Sequence, residues 1–168
     1  ENNKEKIKTR IKSGIQKNRQ IIKDKFNNFF EWVKGADLVS LKECNTNEDP
    51  VRPELDNEFR TSYGRKIYGV QYKNEIHAIM CFAFTNEIPK SVDELDKLSK
   101  DAFLQSTLRG QKVGKIAIAY TVWSKKKGGG KLIVKEVFKM NKKSNHLNRL
   151  VTLSPLTDMA TKFHLRNK

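Results

Sequence analysis

The sequence predicts an α+β fold, with a mixed, mostly antiparallel β-sheet flanked by helices and a long basic helix at the N-terminus. Three patterns indicate this fold class: a helical repeat near the N-terminus, two adjacent runs of β-branched and aromatic residues, and a strand, glycine loop, helix, strand order in the last third. A length of 168 residues is typical of one domain. We therefore expect an N-terminal amphipathic helix over 1–34 and one domain over 35–168.

The N-terminal segment repeats apolar side chains every three or four residues between positions 3 and 33. These side chains are Ile7, Ile11, Ile15, Ile22, Phe26, Phe29 or Phe30, and Val33. The spacing predicts a long amphipathic helix, and Gly35 suits its C-terminal end. Such a helix can lie on a membrane or bind a partner, but packing on its own domain or on a second copy is favoured. A homo-oligomer formed through this helix is therefore one expectation.

The first half of the domain is predicted to contain three strands. Residues 38–44 alternate well enough for a short strand, whereas 45–56 contains two prolines and several acidic residues and is predicted to be a loop. Residues 65–72 and 76–85 are rich in β-branched and aromatic side chains and are separated by a short polar turn. These two runs should form a β-hairpin.

The second half is predicted to alternate helices and strands. A helix over 89–104 is indicated by Pro89, by Ser91 as its cap and by acidic residues in its first turn. The remaining elements are a strand over 115–124, a loop over 125–130, a helix over 132–142, a strand over 150–153 and a helix over 158–163.

The positive charge is concentrated at both ends of the chain. The formal net charge is +15, and residues 1–34 hold 10 basic and 4 acidic side chains. Residues 125–168 hold 12 basic and 2 acidic side chains, so the middle of the chain is close to neutral. This distribution predicts an anionic partner: nucleic acid, an anionic membrane surface or a phosphate-rich cofactor. Solvated surface lysines explain part of the same excess.

Composition excludes several classes of protein. No run of about 18 apolar residues is present, which excludes a membrane span, and no secretory signal is recognisable at the start. The two cysteines, Cys44 and Cys81, are too few for a disulfide framework and lack CxxC spacing. We therefore expect a reduced, cytoplasmic location and no metal site.

The basic glycine loop KKKGGG, at 125–130, links a predicted strand to a predicted helix. Such a turn directs several backbone N–H groups and the positive end of the helix dipole at one point, where anions bind. No GK[ST] sequence follows at the spacing of a P-loop, and the dinucleotide pattern GxGxxG is not matched. From the residues alone, a phosphate-binding loop of another class and a flexible surface turn both stay open.

The order TVWS, glycine loop, helix KLIVKEVFKM and strand RLVTLSP resembles the GNAT acyltransferase superfamily. In that superfamily a splayed strand, a Q/R-x-x-G-x-G/A turn and a helix hold the pyrophosphate of acyl-CoA on backbone amides. Here the lysine run replaces the leading Gln or Arg, with Lys125 or Lys126 as the substitute. The resemblance implies a CoA site formed by Val122, Trp123, Lys125, Lys126, Lys127, Gly128, Gly129, Gly130 and Lys131.

Two segments near the C-terminus look more specifically like malonyl-CoA decarboxylase, whose catalytic domain is a GNAT fold. They are VTLSP at 151–155 and FHLRN at 163–167, and TNEIPKSV at 85–92 matches loosely. The resemblance implies catalytic roles for Ser154 and His164. The segment between these two residues is shorter than in the family, and the lysine run replaces an acidic residue of the family. From the residues alone, Ser154 could also be a turn hydroxyl and His164 a surface histidine.

The function that the resemblance implies is acyl transfer to an amine, with acetyl-CoA or another acyl-CoA as co-substrate and no metal. A malonyl-CoA decarboxylase-like enzyme is the first alternative. The second alternative is a basic module on a degenerate GNAT fold that binds nucleic acid or an assembly, with weak, sequence-independent affinity for nucleic acid. The sequence does not specify the amine acceptor.

Overall fold

The computed structural model describes residues 2–110 and 112–153. The chain divides into two compact units, one of residues 1–36 and one of residues 37–168. The elements, in chain order, are α1 (Asn2–Gly35), β1 (Asp37–Leu41), a short 3-10 helix (Thr46–Glu48), α2 (Asn57–Thr61), β2 (Lys66–Tyr72), β3 (Glu75–Thr85), α3 (Val92–Arg109), β4 (Ile116–Ser124), α4 (Gly129–Lys143) and β5 (Arg149–Thr152).

Helix α1 forms the first unit and runs without interruption for 34 residues, which confirms the predicted long N-terminal helix. Its large apolar side chains are exposed: Ile7, Ile11, Ile15, Ile21, Ile22, Phe26, Phe29 and Phe30. Two aromatic contacts lie along the helix, Phe26 on Phe30 and Phe29 on Trp32. The expected contact of this apolar face with the domain or with a second copy stays a prediction.

The second unit is built on one five-stranded sheet with the order β1-β2-β3-β4-β5. The first three pairings are antiparallel and the pairing of β4 with β5 is parallel, which confirms a mixed, mostly antiparallel sheet. Lys73 and Asn74 close the predicted β2–β3 hairpin with φ values of 49° and 63°. Positive φ at both turn residues matches the right-handed twist of the strands they join.

Helix α2, within the second unit, was not expected from the sequence. The side chain of Asp56 accepts a hydrogen bond from the Phe59 N–H at 2.8 Å and so caps the N-terminus of this helix. With five residues, α2 is too short to show a helical repeat. The predicted helix over 158–163 lies outside the described residues.

The core of this unit has two layers, one on each face of the sheet. On one face, a buried cluster joins alternate residues of β3 to β2, to β4 and to Leu95 of α3. Its strand members are Ile67, Ile79, Cys81, Ala83, Ile118, Tyr120 and Trp123. The opposite face of β3 carries Ala78, which lies under Gly129 at the start of α4. Helix α4 buries Leu132, Ile133 and Val137.

A β-bulge in β4 lies next to the last described pairing of β4 with β5. Cys81 pairs with Thr121 and Phe82 pairs with Ala119, so Tyr120 is an extra residue on β4. The parallel pairing of β5 ends opposite Ala119, where the Leu153 N–H donates to the Ala119 carbonyl at 2.9 Å. From the bulge onward, β4 has no ladder partner on its β5 side within the described residues. The end of the described β4–β5 pairing, called the strand parting, therefore lies at Ala119, and the glycine loop begins at Lys125.

Candidate functional site

The glycine loop leaves β4 and turns directly into α4. The backbone N–H groups of Lys125 and Lys126 both donate to the His77 carbonyl on β3, at 2.8 and 3.2 Å. The Ser124 hydroxyl donates to the Lys126 carbonyl. Gly128 then adopts φ +83°, a left-handed conformation that glycine reaches without steric cost. These contacts fix the path of the chain across the end of the sheet.

Gly129 is required by packing at the first turn of α4. Its N–H donates to the Lys126 carbonyl at 2.9 Å. A β-carbon at this position would lie 2.7 Å from the His77 carbonyl oxygen and 2.6 Å from the Ser124 hydroxyl. Helix α4 can therefore approach β3 this closely only when residue 129 has no side chain.

The N-terminus of α4 presents backbone donors. The first intrahelical bond here runs from the Leu132 N–H to the Gly128 carbonyl, at 3.1 Å. The N–H groups of Gly130 and Lys131 precede it and lie too early in the helix to find an intrahelical acceptor. Gly128 supplies no capping side chain, and the first turn carries no acidic residue. The positive end of the helix dipole therefore has no side-chain cap and no acidic neighbour in the first turn, while Gly129 and Gly130 themselves are buried.

The lysines around this loop fall into two groups, those near a carboxylate and those without a carboxylate partner in the described residues. Lys125 forms an ion pair with Glu48 at 2.7 Å, and the Lys125 ammonium lowers the pKa of the Glu48 carboxyl. Lys126 lies 3.9 Å from Glu75. Lys127 and Lys131 form no ion pair with any residue in 2–110 or 112–153. These last two ammonium groups carry the local positive charge that no carboxylate of the described chain neutralises.

Two further residues of the implied CoA site lie on β4. Val122 is half-buried, whereas Trp123 belongs to the buried core cluster. The indole N–H of Trp123 is buried and makes no hydrogen bond with the described part of the chain. Arg60 stacks over the Trp123 ring at 5.6 Å.

Arg52 bridges the point at which β4 and β5 part. Its Nε donates to the Tyr120 carbonyl at 2.8 Å, and its Nη2 donates to the Leu153 carbonyl at 3.3 Å. Burial lowers the pKa of Arg52, and the carboxylates of Glu54 and Asp49 act in the opposite direction. One buried cation thus joins the bulge residue of β4 to the residue that follows β5.

A buried ion pair anchors the loop that carries Arg52. Arg60 Nη2 lies 2.9 Å from Asp49 Oδ2, and both side chains are fully buried. Asp49 also accepts a hydrogen bond from the Thr121 hydroxyl of β4 at 2.8 Å, and Arg60 donates to the Arg52 carbonyl at 2.8 Å. The segment predicted only as a loop therefore holds the polar network beside the strand parting.

No protein-family model matches the chain, and no curated protein matches it. One solved structure that the chain matches is the crystal structure of malonyl-CoA decarboxylase from Cupriavidus metallidurans, with a TM-score of 0.49 and 21% sequence identity. The match covers 82% of this chain and 36% of that chain, so the chain spans little more than a third of that enzyme's length. These values are too low to assign the chain to the family of that enzyme.

The two residues expected to be catalytic, Ser154 and His164, lie outside the described residues, so their roles stay predictions. Strand β5 ends at Thr152, two positions before Ser154. Among the described residues, no group of three or more His, Cys, Asp or Glu side chains could hold a metal ion. No helix in the described part of the chain has the length and apolar character of a membrane span.

A separate cavity of about 600 Å³ lies at the other end of β4, away from the glycine loop. Its lining includes the cationic side chains of Arg109, Lys112 and Lys115 and the ring of His146. The His146 ring is hydrogen-bonded to the Val113 carbonyl. The cavity therefore belongs to the α3–β4 connection and is distinct from the strand parting.

Proposed function

We propose that the chain is an acyl-CoA-dependent N-acyltransferase with a GNAT-type fold, which transfers an acyl group from acetyl-CoA or another acyl-CoA to an amine. The observation that carries this proposal is that the described pairing of β4 with β5 ends at Ala119, while β4 runs on to Ser124 and the chain then turns into α4. An extended thioester arm needs a strand edge with unpaired backbone groups, and its diphosphate needs an anion site at the end of that edge. Consecutive segments of this chain would supply both.

The diphosphate of CoA would bind at the start of α4. The N–H groups of Gly130 and Lys131 would donate to phosphate oxygens, and the ammonium groups of Lys127 and Lys131 would add charge. Lys125 is paired with Glu48 and contributes less. The amide of Gly129 is engaged by Lys126, so Gly129 shapes the turn rather than donating to the ligand.

The thioester arm would lie along β4 beyond the bulge at Tyr120. Arg52 is a positioning residue here. Its hydrogen bonds to the Tyr120 and Leu153 carbonyls hold β4 at a fixed distance from the residue that follows β5. In the transfer step, the amine nitrogen forms a bond to the acyl carbon while the carbon–sulfur bond breaks. The amine loses a proton and the CoA thiolate gains one.

The two residues for which the resemblance implies catalytic roles would donate or accept these protons. Ser154 would donate a hydrogen bond to the thioester oxygen or a proton to the leaving thiolate, and His164 would act as acid or base. Ser154 follows the last residue of β5 by two positions in the sequence.

A malonyl-CoA decarboxylase-like activity is the second candidate, and the two motifs at 151–155 and 163–167 favour it. Decarboxylation must stabilise an enolate on the thioester and deliver a proton to carbon. The family has an acidic residue before the glycine turn, and a lysine stands in its place here. The side chain at this position is therefore positive instead of negative. Transfer to an amine needs fewer catalytic groups than decarboxylation does, so we rank the transferase activity first.

One assay separates these functions. Release of CoA thiol is followed from acetyl-CoA and from malonyl-CoA, with and without a panel of primary amines, for the wild type and for Ser154→Ala and His164→Ala. We expect amine-dependent thiol release that both substitutions reduce at least about tenfold. Amine-independent conversion of malonyl-CoA to acetyl-CoA would instead establish the decarboxylase. Absence of CoA binding in calorimetry at millimolar concentration would remove both activities and favour the basic binding module.

A further inference from the structure

The cavity at the end of β4 opposite to the glycine loop has no part in the proposed function. Its volume of about 600 Å³ is in the range of pockets that bind small molecules. Strand β4, Ile116–Ser124, is about 26 Å long and separates this cavity from the start of α4. The phosphates of CoA all lie on its nucleotide, so a CoA bound at the start of α4 would place none of them in this cavity.

The backbone of the α3–β4 connection forms a fixed wall of the cavity. A β-carbon on Gly114 would lie 2.5 Å from the Thr85 nitrogen and 2.6 Å from the Thr85 oxygen, so this connection lies directly against the end of β3. The Lys115 N–H donates to Asn86 Oδ1 at 3.4 Å, and the Lys115 carbonyl accepts from the Asn148 N–H at 2.8 Å. Contacts with three neighbouring segments therefore hold the backbone from which the lining side chains extend.

The cavity is positively charged. Three cationic side chains, Arg109, Lys112 and Lys115, line it, and none of its described lining residues is acidic. None of the three forms an ion pair with any residue in 2–110 or 112–153. Like charges around one cavity repel each other, and an anion bound between them removes this repulsion. The charge of the cavity therefore favours an anionic ligand.

The C-terminal end of α3 explains only one of these charges. Arg109 is the last residue of α3, where a cation interacts favourably with the negative end of the helix dipole. Gly110 ends the helix with a φ of +62°, and both lysines follow it in the chain. Lys112 and Lys115 lie outside α3, so helix capping does not account for their place in the cavity wall.

The uncharged lining residues indicate what the rest of the ligand contains. Asn86 and Gln105 offer side-chain amides, and the Ser106 hydroxyl donates its proton to the Phe103 carbonyl at 2.7 Å. The Ser106 oxygen can therefore accept a hydrogen bond from a ligand hydroxyl. Ala102 is the one described lining residue with an apolar side chain. This lining favours a ligand with several hydroxyl groups, and the cavity is far larger than a phosphate ion.

We propose that this cavity binds a small phosphate ester of sugar or nucleoside size. The phosphate lies between Arg109, Lys112 and Lys115, whose N–H groups donate charge-assisted hydrogen bonds to its oxygens. The amides of Asn86 and Gln105 hydrogen-bond to the hydroxyl groups of the ester. Binding involves no covalent step and uses none of the residues assigned to CoA, so it is independent of the proposed acyl transfer.

Isothermal titration of the full chain tests the proposal. The probes are AMP and ribose 5-phosphate, and adenosine, ribose and inorganic phosphate are the reference ligands. We expect at least one ester to bind at least about tenfold more tightly than its unphosphorylated counterpart, and more tightly than inorganic phosphate. In the double variant Lys112→Ala/Lys115→Ala, binding of that ester should weaken at least about tenfold.

The matched control is the double variant Lys66→Ala/Lys97→Ala. Both lysines are exposed, neither lines the cavity, and their loss makes the same change in net charge. This variant should change the affinity for the ester by less than about twofold. Circular dichroism of each variant identifies any loss of fold. If the double alanine variant at 112 and 115 unfolds, Lys112→Gln/Lys115→Gln takes its place, since glutamine keeps most of the side-chain length.

Lys131→Glu distinguishes the cavity from the start of α4, where the proposed CoA site lies. It should leave ester binding unchanged, so loss of CoA binding and loss of ester binding are separate results. Four results would overturn the proposal: no ester binding at millimolar concentration, an ester that binds no more tightly than its unphosphorylated counterpart or inorganic phosphate, an equal loss in the control double variant, and an equal loss in Lys131→Glu.

Discussion

Asp49 and Arg60 form a fully buried ion pair at 2.9 Å, and this pair connects the segment after β1 to the middle of the sheet. Asp49 accepts a hydrogen bond from the Thr121 hydroxyl of β4, while Arg60 donates one to the Cys81 sulfur on β3. Burial of two charges is tolerated here because each also makes several hydrogen bonds. The pair therefore fixes both the loop of Arg52 and the environment of the cysteines.

We predict that Asp49→Ala lowers the free energy of unfolding by about 3–5 kcal/mol, because Arg60 would stay buried without its partner. Urea denaturation followed by tryptophan fluorescence measures the change. Asp101→Ala, at an exposed position of α3, is the matched control and should change the free energy by less than about 0.5 kcal/mol. Equal effects of the two substitutions would contradict the anchoring role of the pair.

Gly129→Ala should destabilise the domain by about 1–3 kcal/mol, because the new β-carbon would meet the His77 carbonyl oxygen at 2.7 Å. Thermal unfolding compares it with Gly14→Ala on α1, where a β-carbon meets nothing within 4 Å. The control should not lower stability, since alanine is the better helix former. A Gly129→Ala protein as stable as the wild type would show that α4 can move off β3 at little cost.

Lys131→Glu should weaken binding of CoA at least about fivefold, because it reverses charge beside the open N-terminus of α4. Lys135→Glu lies one turn further along the same helix and makes the same change in net charge, so it is the control. Isothermal titration at two salt concentrations measures both. Similar losses in the two variants would indicate a general charge effect and no site at the first turn.

The reactivity of Cys44 should depend on Cys81. In Cys81→Ala the hydrogen bond that lowers the pKa of Cys44 is lost, so this pKa should rise above about 7. The thiolate fraction at pH 7 falls as the pKa rises, and alkylation by iodoacetamide should slow at that pH and recover at higher pH. The measurement is the midpoint of alkylation rate against pH, and an unchanged midpoint would contradict the assigned cause.

The basic ends of the chain predict a salt-sensitive interaction with nucleic acid. Binding to duplex DNA should be weak and independent of sequence, and log K should fall with log salt at about −0.9 per phosphate contacted. Fluorescence anisotropy between low and moderate salt gives the slope. No binding at low ionic strength would remove nucleic acid from the partners of this protein.

The elements that could be predicted from the sequence are those with a local repeat. The β2–β3 hairpin follows from two apolar runs and a polar turn, and α3 follows from Ser91 as a cap, whose side chain does accept from the Glu94 N–H. The glycine loop follows from its run of glycines, and the helix after it follows from the helical spacing of Leu132, Val134, Val137 and Phe138. In each case the signal lies within a few consecutive residues.

The polar network was missed because its contacts join residues far apart in sequence. Arg52 and Tyr120 are 68 positions apart, and Asp49 and Thr121 are 72 apart. Nothing in residues 45–56 distinguishes these side chains from those of a solvated loop.

The strand parting at Tyr120 also bears on the order in which the chain folds. The β2–β3 hairpin closes over a two-residue turn, whereas β4 can pair with β5 only after α4 has crossed over the sheet. Short loops close at a lower entropic cost than long ones, so the hairpin should form early and the β4–β5 pair last. The edge that would receive the thioester arm is then the part of the sheet with the lowest local stability, and its amides should exchange with deuterium before those of β3.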